Sequence, residues 1–273
     1  MLQARSWLPR TEGSLRLGFV RDGGETRLRT LRQSGAARAR FPKSVNGSPP
    51  EAVMLNTAGG LTGGDRIDVE VSLADGCEAT VTSAAAEKIY RSLGDATGIA
   101  IDLQLGDGTT CSWLPQPTIL FDSANLDRHT QVHMAADARL LAVEMLIYGR
   151  TAMGEDVHRG SIRDAWRVSR AGRLVFADTT RAGGAVAHAL DRGATLDGTR
   201  ATAMLVYVAP DAGQRLDEVR ALLGHASSTA GASSWNGILL VRAAARDGRD
   251  LQRDLQPVIV RLSGRALPRV WQC

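Results

Sequence analysis

Apolar and polar residues alternate along much of the chain with a period of two. Ile67, Val69, Val71 and Leu73 are separated by Asp68, Glu70 and Ser72, and Ile99, Ile101, Leu103 and Leu105 alternate with Asp102 and Gln104. An extended chain turns successive side chains to opposite faces, so each segment predicts a strand with one face buried. Asp75-Gly76 and Asp107-Gly108 follow these segments as turn signals. Cys77 to Ser83, Ile119 to Phe121, Gln131 to Met134, Arg139 to Tyr148, Ala165 to Ser169 and Leu174 to Ala177 read as further short strands. Ala201 to Val208 is a continuous apolar run and predicts a strand covered on both faces. Helical spacing comes late. Leu216, Val219, Leu222 and Leu223 show it in a segment beginning near Asp211. Leu251, Leu255, Ile259 and Leu262 show it between Asp250 and Leu262, where Pro257 is expected to kink or interrupt the helix. Trp235 to Ala245 reads as a strand between them. The expectation is a mostly-β single domain over residues 1–273, with about two helices toward the C-terminus.

With 44% hydrophobic and 23% charged residues, the chain has no signature of disorder. No apolar stretch approaches the roughly 20 residues that span a bilayer; Leu140 to Tyr148 is broken by Glu144. Trp7, Pro9 and Arg10 stand where a signal peptide would be apolar. Cys77, Cys111 and Cys273 are odd in number and lack CxxC spacing, which argues against a disulfide framework. A cytoplasmic protein that does not associate with membranes is expected. Residues 1–43 hold ten basic side chains and three acids, a local net of +7. Arg27/Arg29 and Arg38/Arg40 alternate with small or apolar residues, as on the wet face of strands. Such a segment suits nucleic acid or an acidic protein partner. One Trp and two Phe in it give no stacking platform for single strands, so nucleic acid is kept as the alternative and protein docking is preferred.

The most unusual segment is Asn56 to Asp65, NTAGGLTGGD. Gly59, Gly60, Gly63 and Gly64 allow close backbone approach, which a phosphate cradle would use. No Lys-Ser or Lys-Thr follows and no helix opens behind it, so a tight turn or bulge is favoured over an enzyme's phosphate loop. Lys88 is one of two lysines and stands beside Glu87, as a base or as half of a solvated pair. His129 and His133 share one strand face about 13 Å apart, too far for one metal to bridge. Glu144 sits inside an apolar run, so its carboxylate must be paired, protonated or set against water. Glu155 lies in a glycine-bounded loop with Arg150 as an available partner. Neither GxSxG nor SxxK occurs, and no activated cysteine is paired with a histidine.

Four stretches in order, NTAGGLTGGD (56–65), TSAAAEKIYRS (82–92), WLPQPTILFD (113–122) and IYGRTAMGE (147–155), resemble the urease accessory protein family called UreD or UreH. The positions carrying that likeness include Asn56, Gly59, Gly60, Gly63, Gly64, Lys88, Tyr90, Arg91, Gly149, Arg150, Gly154 and Glu155. The likeness is close over about residues 50–160 and general elsewhere. It implies a β-helix-like stack of short strands with two helices, and a scaffold without catalysis. It also implies partners: the urease apoprotein, the accessory protein UreF and, through UreF, the GTPase UreG. No tightly bound cofactor is implied. Nickel is expected in transit, with Asp65, Glu87 and Glu144 as transient ligands and Ser83 lining the route, because isolated carboxylates hold and release an ion more readily than a closed cage.

Overall fold

The computed structural model describes residues 10–43, 48–150 and 153–272. Arg5, Trp7, Pro9 and Cys273 lie outside the described residues, as do Thr151 and Ala152 of the IYGRTAMGE stretch. In chain order the first strands are β1 (Glu12–Asp22), β2 (Glu25–Gly35), β3 (Ala37–Arg40), β4 (Glu51–Asn56), β5 (Arg66–Leu73) and β6 (Glu78–Ser83). Next come β7 (Glu87–Ile89), β8 (Thr97–Leu105), β9 (Thr110–Leu114), β10 (Thr118–Leu120), β11 (Ala124–Met134) and β12 (Arg139–Tyr148). The remainder comprises β13 (Gly160–Arg170), β14 (Arg173–Gly184), helix α1 (Val186–Asp191), β15 (Ala201–Val208) and α2 (Leu216–Leu223). It ends with β16 (Thr229–Trp235), β17 (Ile238–Ala245) and α3 (Gly248–Ser263).

Two sheets face each other. One has the order β14-β13-β11-β8-β5-β1-β2, the other β16-β17-β15-β12-β9-β6-β4-β3, with β10 and β7 branching from β12. From β4 to β13 the main strands alternate between the sheets, and each return adds a parallel neighbour. Parallel neighbours need a crossover. Here the crossover is a strand of the opposite sheet, so the stack resembles a β-solenoid. The Asp-Gly turns are its corners and carry the chain between sheets. Gly76 N donates to Asp107 O at 2.7 Å, Asp107 N to Asp75 Oδ1 at 3.0 Å and Gly108 N to Asp137 Oδ1 at 2.9 Å, so corners stack as the strands do.

The alternating residues fill the space between the sheets: Leu17, Val71, Leu103, Val132 and Val168 form one buried rung. β12 and β15 are apolar on both faces for a stated reason. Leu140, Ala142, Met204 and Val206 face the other sheet, while Leu141, Val143, Leu205 and Tyr207 join the core beneath the helices. Leu251, Leu255, Val258, Ile259 and Leu262 of α3 complete that second core. Asp247 starts α3 by accepting from the amides of Arg249 and Asp250, and Gly264 ends it in a left-handed conformation. Pro257 does not break this helix. It is exposed, and so is Arg253, whose carbonyl loses its donor on the side open to water.

Arg27 and Arg29 are exposed on β2, at the edge of the first sheet. Charges on an edge strand discourage pairing with another chain. Among the described residues, no helix is long and apolar enough to cross a membrane. Cys77 and Cys111 are buried free thiols, and burial pushes the Cys111 thiol up to about 12.

Candidate functional site

The glycine-rich stretch links β4 to β5 and is tied down by its own amides. Gly59 N donates to Asn56 O, Leu61 N to Lys88 O, Gly64 N to Ala96 O, and Asp65 N to Thr62 O. Asp65 is 4% exposed, and its carboxylate accepts the amides of Thr11 at 2.7 Å and Thr62 at 2.8 Å. With these donors engaged, most of the loop's amides are spent within the protein and not on a phosphate. Its glycines answer a steric need. Gly60 has φ +154°, and a Cβ there would lie 2.3 Å from the Tyr90 ring. Gly60→Ala is expected to cost about 1–3 kcal/mol, seen as a lower thermal midpoint. Gly59→Asn, at φ +76° with nothing within 4 Å of a Cβ, should fold close to normally.

Beside this loop a cavity of about 280 Å³ opens between the sheets. Gly59, Ala84, Ala85 and Lys88 are the exposed residues of its lining, and Arg128, Glu144, Trp113 and Thr118 are among its buried ones, with apolar residues such as Val69 and Ile101. Ser83 lines it and accepts the Gln116 amide at 2.8 Å. Glu87 lines it too, accepting both Asn56 Nδ2 contacts, at 3.0 and 3.2 Å. Burial raises the Glu87 carboxyl above its ordinary range, against the hydrogen bonds from Asn56 and the Lys88 amide.

Strand register sets the deep end. Arg128 on β11 stands opposite Asp164 on β13, and both point inward from the first sheet. Glu144 points toward them from β12 of the second sheet. Arg128 grips Asp164 with two bonds, Nε to Oδ1 at 3.0 Å and Nη2 to Oδ2 at 2.7 Å, and donates through Nη1 to Thr118 Oγ1 at 2.9 Å. Its Nη2 also lies 2.7 Å from Glu144 Oε1, an ion pair. The Trp113 Nε1, on the same cavity, has no hydrogen-bond partner among the described residues. Buried polar atoms in this condition call for water or an ion.

One guanidinium stands between two carboxyl groups, so the cluster is neutral when one of the two holds a proton. Burial works against the charge on Arg128, yet Asp164 and Glu144 outweigh it and hold the guanidinium protonated. Burial pushes Glu144 up to about 8; Arg128 opposes this and the like charge of Asp164 adds to it. The sign for stability follows. The folded protein keeps a proton on Glu144 from pH 4.5 to about 8 that the unfolded chain gives up. Stability from this group is complete below about 4.5, declines toward about 8 and is level above. Glu144→Gln is expected to remove that decline, measured by urea denaturation at several pH values; the same slope in the variant would refute it.

Beyond the three charged groups lies a smaller cavity of about 40 Å³, lined by Glu144, Asp164, Trp166, Asp178, Thr202 and Arg242 among others. Trp166 Nε1 has no hydrogen-bond partner there among the described residues. Arg242 pairs with Asp178 across the sheets at the outer edge of this cavity. Polar groups thus run across the sandwich, from Lys88 and Glu87 through Glu144 to Asp178. Among the described residues no cluster of three or more His, Cys, Asp or Glu side chains forms a metal cage.

Of the residues singled out from sequence, Ser83, Glu87, Glu144, Lys88, Asn56 and Gly59 share the larger cavity. Asp65 does not line it and holds the turn. Arg150 pairs with Glu155 and lies 4.6 Å over the Phe121 ring, and Tyr90 packs edge-on to Phe121 at 4.8 Å. Gly149 has φ +85° and Gly154 φ +71°. His129 contacts Asp127 and Arg163 on the outer face. Sequence reasoning missed Arg128, Asp164, Arg242 and Asp178. A signal existed for one of them: extending the β11 alternation back to Leu126 puts Arg128 on the apolar face.

Comparison with known proteins places this geometry. The family model described as UreD urease accessory protein matches residues 11–272. A urease accessory protein UreD from Methylobacterium sp. (strain 4-46) is 47% identical over 269 residues, covering 96% of this chain and 95% of its own. The UreD of Azorhizobium caulinodans is 43% identical, with 96% of each chain covered. That of Rhizobium leguminosarum bv. viciae is 44% identical, covering 96% of this chain and 95% of its own.

Proposed function

The chain belongs to the UreD urease accessory protein family, and from that premise we propose that it is a scaffold for nickel insertion into apo-urease. Its role is that of a urease accessory protein and not of an enzyme. In the proposed reading it binds apo-urease and UreF in the cytoplasm, recruits UreG through UreF, and conducts nickel along the cavity between its sheets. Glu144 carries the reading. It is a carboxylate 4% exposed, facing the cavity, whose ion pair among the described residues is with Arg128, a cation shared with Asp164.

Physical chemistry supports a conduit over a store. A divalent cation entering at Glu87 would meet one half-buried carboxylate, then Glu144 and Asp164 around Arg128, a cluster that turns net negative only once Glu144 gives up its proton. Arg128 already neutralises one charge there, so the ion is held by few oxygens and leaves again. Binding also displaces the proton that Glu144 retains near neutral pH, which weakens the hold further. Ser83 contributes a hydroxyl at the wall. The test is nickel delivery: urease subunits expressed with the other accessory proteins, with and without this chain, should yield active, nickel-loaded urease only in its presence. Equal nickel content in both cultures would end the proposal.

A further inference from the structure

Segments far apart in sequence meet at one end of the second sheet. Tyr90 N donates to Leu61 O at 2.7 Å, Phe121 N to Ile89 O at 3.0 Å and Gly149 N to Leu120 O at 2.8 Å. Their outermost side chains are apolar. Leu93 is 86% exposed, Met153 74% and Tyr90 37%. Their segments are tied together: Ser92 N bonds Ser123 O at 2.9 Å, Tyr90 packs on Phe121, Arg150 covers Phe121, and Met153 N returns to Arg150 O at 2.7 Å. Apolar surface grouped in this way marks a contact site.

Around it, among the described residues, two exposed cations have no ion pair, against one carboxylate without one, Asp122. Asp95 is engaged by Arg10 at 3.2 Å, Glu155 by Arg150, and Asp122 by the Arg159 amide at 3.0 Å. Lys88 and Arg91 are exposed, and among the described residues neither has a carboxylate within ion-pair distance. Lys88 and Gly59 are also on the rim of the larger cavity. We propose that this end is the docking surface for a partner protein that presents carboxylates around an apolar anchor and seats beside the cavity mouth. The anchor covers Leu93, Tyr90 and Met153, and its carboxylates pair with Lys88 and Arg91. The proposal rests on the accessory-protein reading for the existence of a partner, and not on the nickel route.

The full chain, carrying a photo-cross-linking residue at position 93, would be co-expressed with the urease subunits and the other accessory proteins. The expected result is a cross-link to a partner segment bearing Asp or Glu. Leu93→Asp and Arg91→Glu should each weaken capture of that partner about tenfold or more, and the Arg91→Glu loss should shrink as salt rises. Both positions are exposed, so folding is preserved. Arg167→Glu, exposed on the outer face of the first sheet, should bind normally. Cross-linking to a second copy of this chain, or unchanged affinity in both variants, overturns the surface. If the unsubstituted chain captures no urease component, the surface fails and the accessory reading falls with it.

Discussion

Arg128→Met is expected to destabilise the folded chain by about 3–5 kcal/mol, the loss seen when one partner of a buried ion pair is removed. Methionine keeps much of the stem volume but none of the charge. Asp164 and Glu144, each 4% exposed, would then face each other without a cation, and Thr118 would lose its donor. Urea denaturation near pH 7 should show an earlier midpoint with an unchanged slope. The deficit should shrink as pH falls, because protonating the carboxylates removes the stranded charges. Adding Asp164→Asn should restore part of the loss. A double variant whose losses simply add would show that packing, and not charge, is what Arg128 supplies.

Glu144→Gln is expected to have the largest effect on nickel delivery. The amide keeps the shape and cannot act as an anionic ligand. Nickel content of co-expressed urease should fall about tenfold or more, the scale of losing a group that tunes a metal's path. The accessory complex should still be recovered intact. Glu87→Gln should give a smaller loss, because its half-buried carboxylate is already occupied by Asn56. Asp65→Asn should act through stability, since its oxygens hold the Thr11 and Thr62 amides. Full nickel content with Glu144→Gln would remove the cavity from the route, whatever the state of the complex.

Much of the architecture was legible before any coordinates. β5, β8, β12 and β15 stand where alternation or unbroken apolarity predicts them, and α2 and α3 where helical spacing does. β16, with the sequence TAGASSW, escaped because small residues carry little pattern, and α1 is too short to show a period. The site was only partly visible. Glu144 was conspicuous as a charge inside an apolar run, and Ser83 and Glu87 came with the family likeness. Arg128 and Asp164 sit 36 residues apart on separate strands, and although Arg128 falls on the apolar face of its own strand, nothing in the sequence pairs the two. The glycine-rich loop was noticed, but its purpose was not: the bonds from Leu61 N to Lys88 O and from Gly64 N to Ala96 O form only once distant segments lie beside it.

The sequence by itself determined which stretches extend, which of their faces avoid water, and to which family the chain is similar. These follow from local periodicity and from long motifs in order. Which strand lies beside which was decided by the tertiary structure, because a period of two names a buried face and not the neighbour that buries it. Alternation between sheets brought Arg128, Glu144 and Asp164 to one point from three strands. There the low dielectric, and not residue identity alone, turns an ordinary glutamate into one that keeps its proton near neutral pH.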